Sequence, residues 1–261
     1  SGAGREFWEG ELPERAFDGL AKVGSREVAD FLIVDEIQDL ATEPYLDLMD
    51  MLVEGGLRKG RVLMFGDFEG QAIYENPAGR QVIRDRAPSM ATFRLTANCR
   101  NRPRIGFQVN LLGQLTPGFD RFRREDDGVD PVIRRYDQPQ EQSDLLRDAV
   151  GSLRAEGYEL SEIVVLSPFG SSSVAATTAD PWLRRHLTPA DGSPPTKGVL
   201  RYSTIQAFKG LEAPAVVVTD LCDEGLPNFD ALLYVGLTRA TDRLTAIIET
   251  ETLRRLLGGG L

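Results

Sequence analysis

The chain has 261 residues, room for one large domain or two of ordinary size, and its 41% hydrophobic and 27% charged residues are the balance of a globular protein. Its 30 Lys and Arg against 40 Asp and Glu give a net charge of −10, which argues against a uniformly basic nucleic-acid binder while leaving room for a local basic groove. Two cysteines, Cys99 and Cys222, are too few for a disulfide framework or an unaided metal site and read as free thiols in a reducing compartment.

No apolar run approaches the ~18 residues that suggest a membrane span. The start, Ser1-Gly-Ala-Gly-Arg-Glu, has neither an initiating Met nor an apolar signal core, so we expect a cytoplasmic piece excised from a longer protein. His186, the single histidine, lies in Trp182-Leu-Arg-Arg-His, and no Gly-x-Ser-x-Gly elbow supports a serine hydrolase.

Taken in order, Leu12, Ala16, Phe17, Leu20 and Val23 recur at helical spacing, and Gly24 ends that helix. Phe31-Leu-Ile-Val34 predicts a short buried strand. Thr42-Glu-Pro44 reads as an N-cap with Pro just inside, opening a helix through Leu46, Met49 and Val53. Val62 to Phe65 predicts a second strand and Thr92 to Leu95 a third. A helix over 103–115 follows, with Ile105, Val109 and Leu112 on one face. The pattern then restarts: a strand at 131–136, a helix at 141–156, strands at 163–166, 199–203 and 215–218, a helix at 230–240, a strand at 243–248 and a short terminal helix. Thr188 to Lys197, rich in Gly, Pro and Ser, predicts a surface loop. Strands alternating with helices indicate an α/β fold with parallel sheets.

The densest chemical signal is Phe31-Leu-Ile-Val-Asp-Glu-Ile-Gln-Asp39. Ligands of open α/β sheets bind outside the carboxyl ends of strands, which is where Asp35 and Glu36 stand. Mg²⁺ bound to phosphates needs one or two such carboxylates, and hydrolysis needs another to orient or deprotonate water. Four further segments follow: Gly66-Asp67-Phe-Glu-Gly-Gln71-Ala-Ile-Tyr74, Leu95-Thr-Ala-Asn98-Cys99-Arg100, Ser203-Thr204-Ile-Gln206-Ala-Phe-Lys209-Gly210-Leu-Glu212, and Tyr234-Val-Gly-Leu-Thr238-Arg239-Ala240.

In this order and at these spacings the series resembles motifs II to VI of the UvrD/Rep-like superfamily 1 DNA helicases, over about residues 30–244. The first motif, a Gly-x-x-x-x-Gly-Lys-Ser/Thr phosphate loop, is not encoded in these residues. The resemblance implies RecA-like P-loop NTPase lobes: the C-terminal part of a first, incomplete lobe in residues 1–100, and a second, complete lobe in residues 101–261. About 103 residues separate Arg100 from Thr204, too few for a large helical insertion.

The same resemblance implies roles. Asp35 helps hold Mg²⁺ and Glu36 acts on the attacking water of ATP hydrolysis. Gln71 senses the γ-phosphate, with Asp67 beside it. Arg100 and Arg239 reach the phosphates; a guanidinium suits this because its charge is permanent and its planar fork binds two oxygens. Lys209, Gly210 and Glu212 bind the nucleotide, Gly210 through a turn that needs positive φ. Tyr74 and Thr204 contact single-stranded DNA. The expected partners are therefore ATP, Mg²⁺, single-stranded DNA and an N-terminal phosphate-loop segment of the same protein, with no membrane; no signal bears on oligomeric state.

Three departures stand out. Cys99 replaces the Tyr of the family's Asn-Tyr-Arg, removing a ring that packs on adenine. Gln206 replaces a His, keeping hydrogen bonding but not protonation. Among the residues just after motif III only Tyr74 can stack on a base. The leading expectation is a motor fragment that couples ATP hydrolysis to movement on single-stranded DNA and is inactive without its phosphate loop. The alternative is a helicase-derived nucleotide switch or interaction module of a nuclease, repair or defence protein; a catalytically silent lobe is a third. Arg121-Phe-Arg-Arg124, Arg134-Arg135 and Arg184-Arg185 are candidate basic patches.

Overall fold

A computed structural model of the chain describes residues 6–23, 28–68, 78–115 and 118–258. The chain divides into two compact units, Ser1–Arg94 and Leu95–Leu261. No described helix is long and apolar enough to cross a membrane.

The first unit contains α1 (Leu12–Val23), β1 (Leu32–Val34), α2 (Ile37–Leu40), α3 (Glu43–Leu52), α4 (Gly56–Lys59), β2 (Val62–Met64) and α5 (Gly79–Arg86). Its two strands run parallel, pairing Leu32 with Val62, Ile33 with Leu63 and Val34 with Met64. Side chains alternate across a strand, so one face carries Leu32, Val34, Val62 and Met64, packed with Ile37, Leu46, Met49, Leu57 and Ala87. The opposite face carries Ile33 and Leu63, which remain 60% and 42% exposed, flanked by exposed Phe31 and Phe65. Parallel sheets are ordinarily covered on both faces, so this apolar face is unusual. Helix α3 starts at Thr42 with Pro44 in its first turn, as expected, but Thr42 Oγ1 is buried without a hydrogen bond and caps nothing.

The second unit continues with β3 (Ala97–Asn98), α6 (Pro103–Leu112), β4 (Arg121–Phe122), β5 (Val132–Tyr136), α7 (Gln142–Ala155), β6 (Ile163–Ser167), α8 (Val174–Thr177), α9 (Pro181–His186), β7 (Leu187–Pro189), β8 (Leu200–Thr204), β9 (Ala213–Leu221), α10 (Phe229–Thr238), β10 (Ala240–Glu249) and α11 (Thr250–Leu256). Six strands form one sheet in the order β5-β10-β9-β6-β8-β7, every neighbouring pair parallel. Ile163, Val165, Ala215, Val217 and Ile247 pack against Leu146, Ala149, Val150 and Leu153 of α7. Val218 points to the other face, beneath α10. A Cβ on Gly236 would stand 3.1 Å from Ile205 Cδ1 and 3.4 Å from Val218 Cγ1, so glycine here permits the close approach of helix to sheet. Helices on both faces of a parallel sheet are the α/β arrangement anticipated for a RecA-like lobe. Full burial of each Leu, Ile or Val contributes ~1.5–3 kcal/mol before the entropy of ordering, which is why the core lies here.

Two sequence expectations fail. Thr92 to Leu95 forms no ladder, and Phe93 and Leu95 are 86% and 85% exposed; a β-prone run becomes a strand only when a neighbour accepts its hydrogen bonds. The expected 188–197 loop begins instead as β7, because Leu187, Thr188 and Pro189 align with Leu200, Arg201 and Tyr202 at the sheet edge, where a Pro is tolerated.

An ion network fastens residues 102–127 to the start of β10. Arg102 Nε lies 2.9 Å from Asp242 and 3.4 Å from Asp127, Arg124 Nη2 lies 2.8 Å from Asp242, and Arg243 lies 2.6 Å from Asp127 and 2.7 Å from Glu156. Burial raises the Asp127 carboxyl, but the Arg243 hydrogen bond, the Val129 N–H and the Arg243 and Arg102 charges outweigh it and leave its pKa lowered. A depressed carboxylate stabilises the fold above its unfolded pKa of about 4 and loses that contribution as pH falls through the lower folded value. Unfolding titrations below neutral pH should therefore show stability falling on the acid side of about pH 4, with a shallower fall in Asp127→Asn. Identical acid limbs would dismiss this network as a source of pH dependence.

Candidate nucleotide-binding site

In the first unit, β1 ends at Val34 and is followed by Asp35, whose exposed carboxylate accepts the Glu36 N–H at 2.9 Å. Glu36 has φ +52°, a left-handed conformation that costs a non-glycine residue about 1 kcal/mol or more. The chain turns there because Ile37 donates its N–H to Phe65 O at 2.9 Å, directing α2 across the end of β2. Gln38 is buried and bridges the two strand ends: its Nε2 donates to the Glu36 carboxylate and its Oε1 accepts the Asp67 N–H at 3.0 Å. Gly66 leaves room for that bridge, since a Cβ there would come within 2.8 Å of Gln38 Oε1. Asp35 and Asp67 thus stand at the carboxyl ends of adjacent parallel strands. Hard carboxylate oxygens with an exposed side fit Mg²⁺, which keeps most of its shell as water and phosphate. Gln71 and Tyr74 lie outside the described residues.

In the second unit, three arms meet at the turn after β8. Thr204 Oγ1 accepts the Ala207 N–H at 3.1 Å, capping the turn locally. Gly210 has φ +82° with nothing within 4 Å of an added Cβ, so backbone conformation alone calls for glycine. Glu212, just beyond, pairs with Arg100 through Nε at 3.0 Å. Lys209, on the same turn, is partly buried. Arg239, at the junction of α10 and β10, is 1% exposed. Its guanidinium donates to Val235 O at 3.0 Å, Leu211 O at 3.3 Å and Thr238 Oγ1 at 3.0 Å. The structure therefore gathers Arg100, Glu212 and Arg239 about one turn, with Arg239 directed inward. Cys99 is exposed, and Gln206 Oε1 is buried without a hydrogen-bond partner.

Several supporting residues had no role in the sequence reading: Gln38, Asn98, Asn101, Thr238 and Asp220. Gln38, Asn98 and Thr238 carried a signal only as members of the quoted motifs, and Asn101 and Asp220 carried none. Asp220, with φ +58°, accepts Ser167 Oγ at 2.7 Å, Thr219 Oγ1 at 2.8 Å and the Val174 N–H at 3.2 Å, tying the loop after β6 to the end of β9. Of the proposed basic patches, Arg124 is engaged in the ion network, while Arg184 and Arg185 are exposed at the end of α9. Cys222, Asp223 and Glu249 form a small cluster, but Thr252 and Arg255 already bond its carboxylates. Burial and the Glu249 hydrogen bond push the Cys222 thiol up, opposing the thiolate a metal would need.

Residues 200–247, from β8 into β10, match the family described as UvrD-like helicase C-terminal domain. This stretch holds Thr204, Gln206, Lys209, Gly210, Glu212 and Arg239. The likeness to that family thus extends over β8, β9, α10 and most of β10. Among solved structures the chain is similar to the C-terminal domain of a possible DNA helicase from Lactobacillus plantarum WCFS1, with 15% identity, a TM-score of 0.46 and coverage of 61% of this chain and 95% of that one. No curated protein matches.

The two arginines should differ in what they do for stability. Arg239→Ala leaves buried carbonyls without donors and a cavity, and should cost on the order of 3 kcal/mol in urea unfolding. Arg100→Ala breaks a partly exposed ion pair and should cost under about 1 kcal/mol. Equal, small losses would contradict the buried role assigned to Arg239.

Proposed function

We propose that this chain is the C-terminal part of the motor of a superfamily 1 DNA helicase or translocase, which hydrolyses ATP with Mg²⁺ and moves on single-stranded DNA in the cytoplasm. The observation that carries this reading is the convergence of Arg100, Glu212 and Arg239 on the turn 204–212, most of it within the UvrD-like segment. Residues 1–100 would belong to the first RecA-like lobe and residues 101–261 to the second.

In this reading Asp35, with Asp67 at the end of the adjacent strand, would hold Mg²⁺, which would neutralise phosphate charge. Glu36 takes or orients the proton of the attacking water, a role supported by the Gln38 bond to its carboxylate beside a left-handed backbone. Gln71 reads the γ-phosphate. Arg100 exchanges Glu212 for phosphate oxygens and Arg239 adds a second guanidinium, each countering charge that develops in phosphoryl transfer. Lys209, Gly210 and Glu212 hold the nucleotide, and Thr204 and Tyr74 face DNA. The phosphate loop comes from a segment outside these residues, and the bare apolar face of β1 and β2 supports an additional element packing there. A nucleotide switch is the second reading, favoured by the inward-bonded Arg239 guanidinium, which must be released before it meets a phosphate.

ATP turnover by the complete protein, with and without single-stranded DNA, separates the two. Stimulation by DNA is expected; tight nucleotide binding with turnover indifferent to any DNA would favour the switch. Glu36→Gln should lower turnover at least about tenfold with ATP binding nearly intact, because the carboxylate acts on water while phosphate and base contacts supply binding. Unchanged turnover would remove Glu36 from this role. The 261 residues alone should not turn over ATP, lacking the loop's N–H donors and lysine; robust activity would refute the assignment of the phosphate loop to another segment.

A further inference from the structure

The roots of Arg100 and Arg239 are joined by two buried amides that the motif series leaves without a role. Asn101 is 1% exposed and Asn98 is 7% exposed. Asn101 Nδ2 donates to Thr238 O at 3.1 Å and to Ala240 O at 2.6 Å, the carbonyls immediately before and after Arg239. Asn101 Oδ1 accepts Asn98 Nδ2 at 2.9 Å, which sets the orientation of the second amide. Asn98 Oδ1 then accepts the main-chain N–H of Arg100 at 3.0 Å and of Asn101 at 2.9 Å. Each of the four side-chain polar atoms is bonded, as burial of two amides requires.

The geometry demands this side chain. A primary amide presents two N–H donors in one plane, and the two carbonyls that flank Arg239 need one each. Aspartate has the same size but no donor, and serine has one. Main-chain bonding continues the seam: Arg102 N–H donates to Thr241 O at 3.3 Å, and Arg124 Nη1 reaches Arg100 O at 3.2 Å and Thr241 O at 2.9 Å.

We propose that Asn101, acting through Asn98, is a positioning residue that fixes the main chain of Arg100 and Arg239 as one piece, so that the two guanidinium groups address a single phosphate group. The proposal rests on the ATPase reading of those arginines. Asn101 touches neither guanidinium; it sets where both side chains are rooted.

Two measurements test it. In the 261-residue chain, amide hydrogen exchange is followed at Arg100, Asn101 and Arg239, with Val164 to Leu166 in the sheet centre as reference. Asn101→Asp and Asn101→Ser should each raise exchange at all three by about tenfold or more while the reference is unchanged. Wild-type exchange at Arg239 in the Ser variant, which keeps the fold most gently, would overturn the clasp. In the complete protein Asn101→Ser should lower kcat by about tenfold or more with KM for ATP within about twofold, since a small misplacement acts on the transition state. A fall no greater than that of Leu146→Ala, a core variant remote from the turn, would reduce Asn101 to a structural role and overturn the proposal. If Arg100→Ala itself leaves turnover unaltered, the ATPase reading fails, and the clasp is judged by exchange alone.

Discussion

A guanidinium withdrawn from water governs the end of the second unit where the candidate site lies. Burying a charged group is costly unless its hydrogen bonds are replaced, and Arg239 replaces them with Val235 O, Leu211 O and Thr238 Oγ1. These bonds join the last turn of α10 to the turn leading into β9. Because Leu211 precedes Glu212, and Glu212 holds Arg100, the same buried group also limits where the exposed ion pair can lie. The asparagine pair adds bonds to the carbonyls of Thr238 and Ala240, on either side of Arg239 in the chain. A helix end, a strand start, a turn and the entry to α6 are thus held in register by buried polar groups.

The first unit works under the opposite constraint. Its two strands bury one face and leave Ile33 and Leu63 open on the other, so its two-stranded sheet has little cross-strand support. Order at the carboxyl ends of these strands comes instead from Gln38, which reaches from Glu36 to Asp67, and from the Ile37 N–H bond to Phe65 O beside the left-handed Glu36. Strain held at such a position is characteristic of functional sites, where the surroundings over-determine the backbone.

Charge shows how far a linear reading extends. Arg121-Phe-Arg-Arg124 looks like a basic patch along the chain, yet Arg124 is joined with Arg102 and Arg243 to Asp127, Asp242 and Glu156. These acids come from three separate segments, so their neutralising effect is invisible until the chain folds. The surface field then depends on the arginines left over, not on the runs in which they are written.

Local pattern alone determined a good deal. The uninterrupted Val and Ile runs specified the buried strands of a parallel sheet, helical spacing placed Ile105, Val109 and Leu112 on the inner face of α6, and the UvrD-like stretch was readable from Thr204 to Arg239. Those signals survive in one dimension because period and backbone preference act between near neighbours. Thr92 to Leu95 has the same local preference and no ladder, since strand formation needs a partner that composition cannot supply. Asn98 and Asn101 carry no periodic signal at all. Their importance arises only when folding brings Thr238 and Ala240 beside them, some 140 positions away in sequence, and leaves two carbonyls that one amide can satisfy.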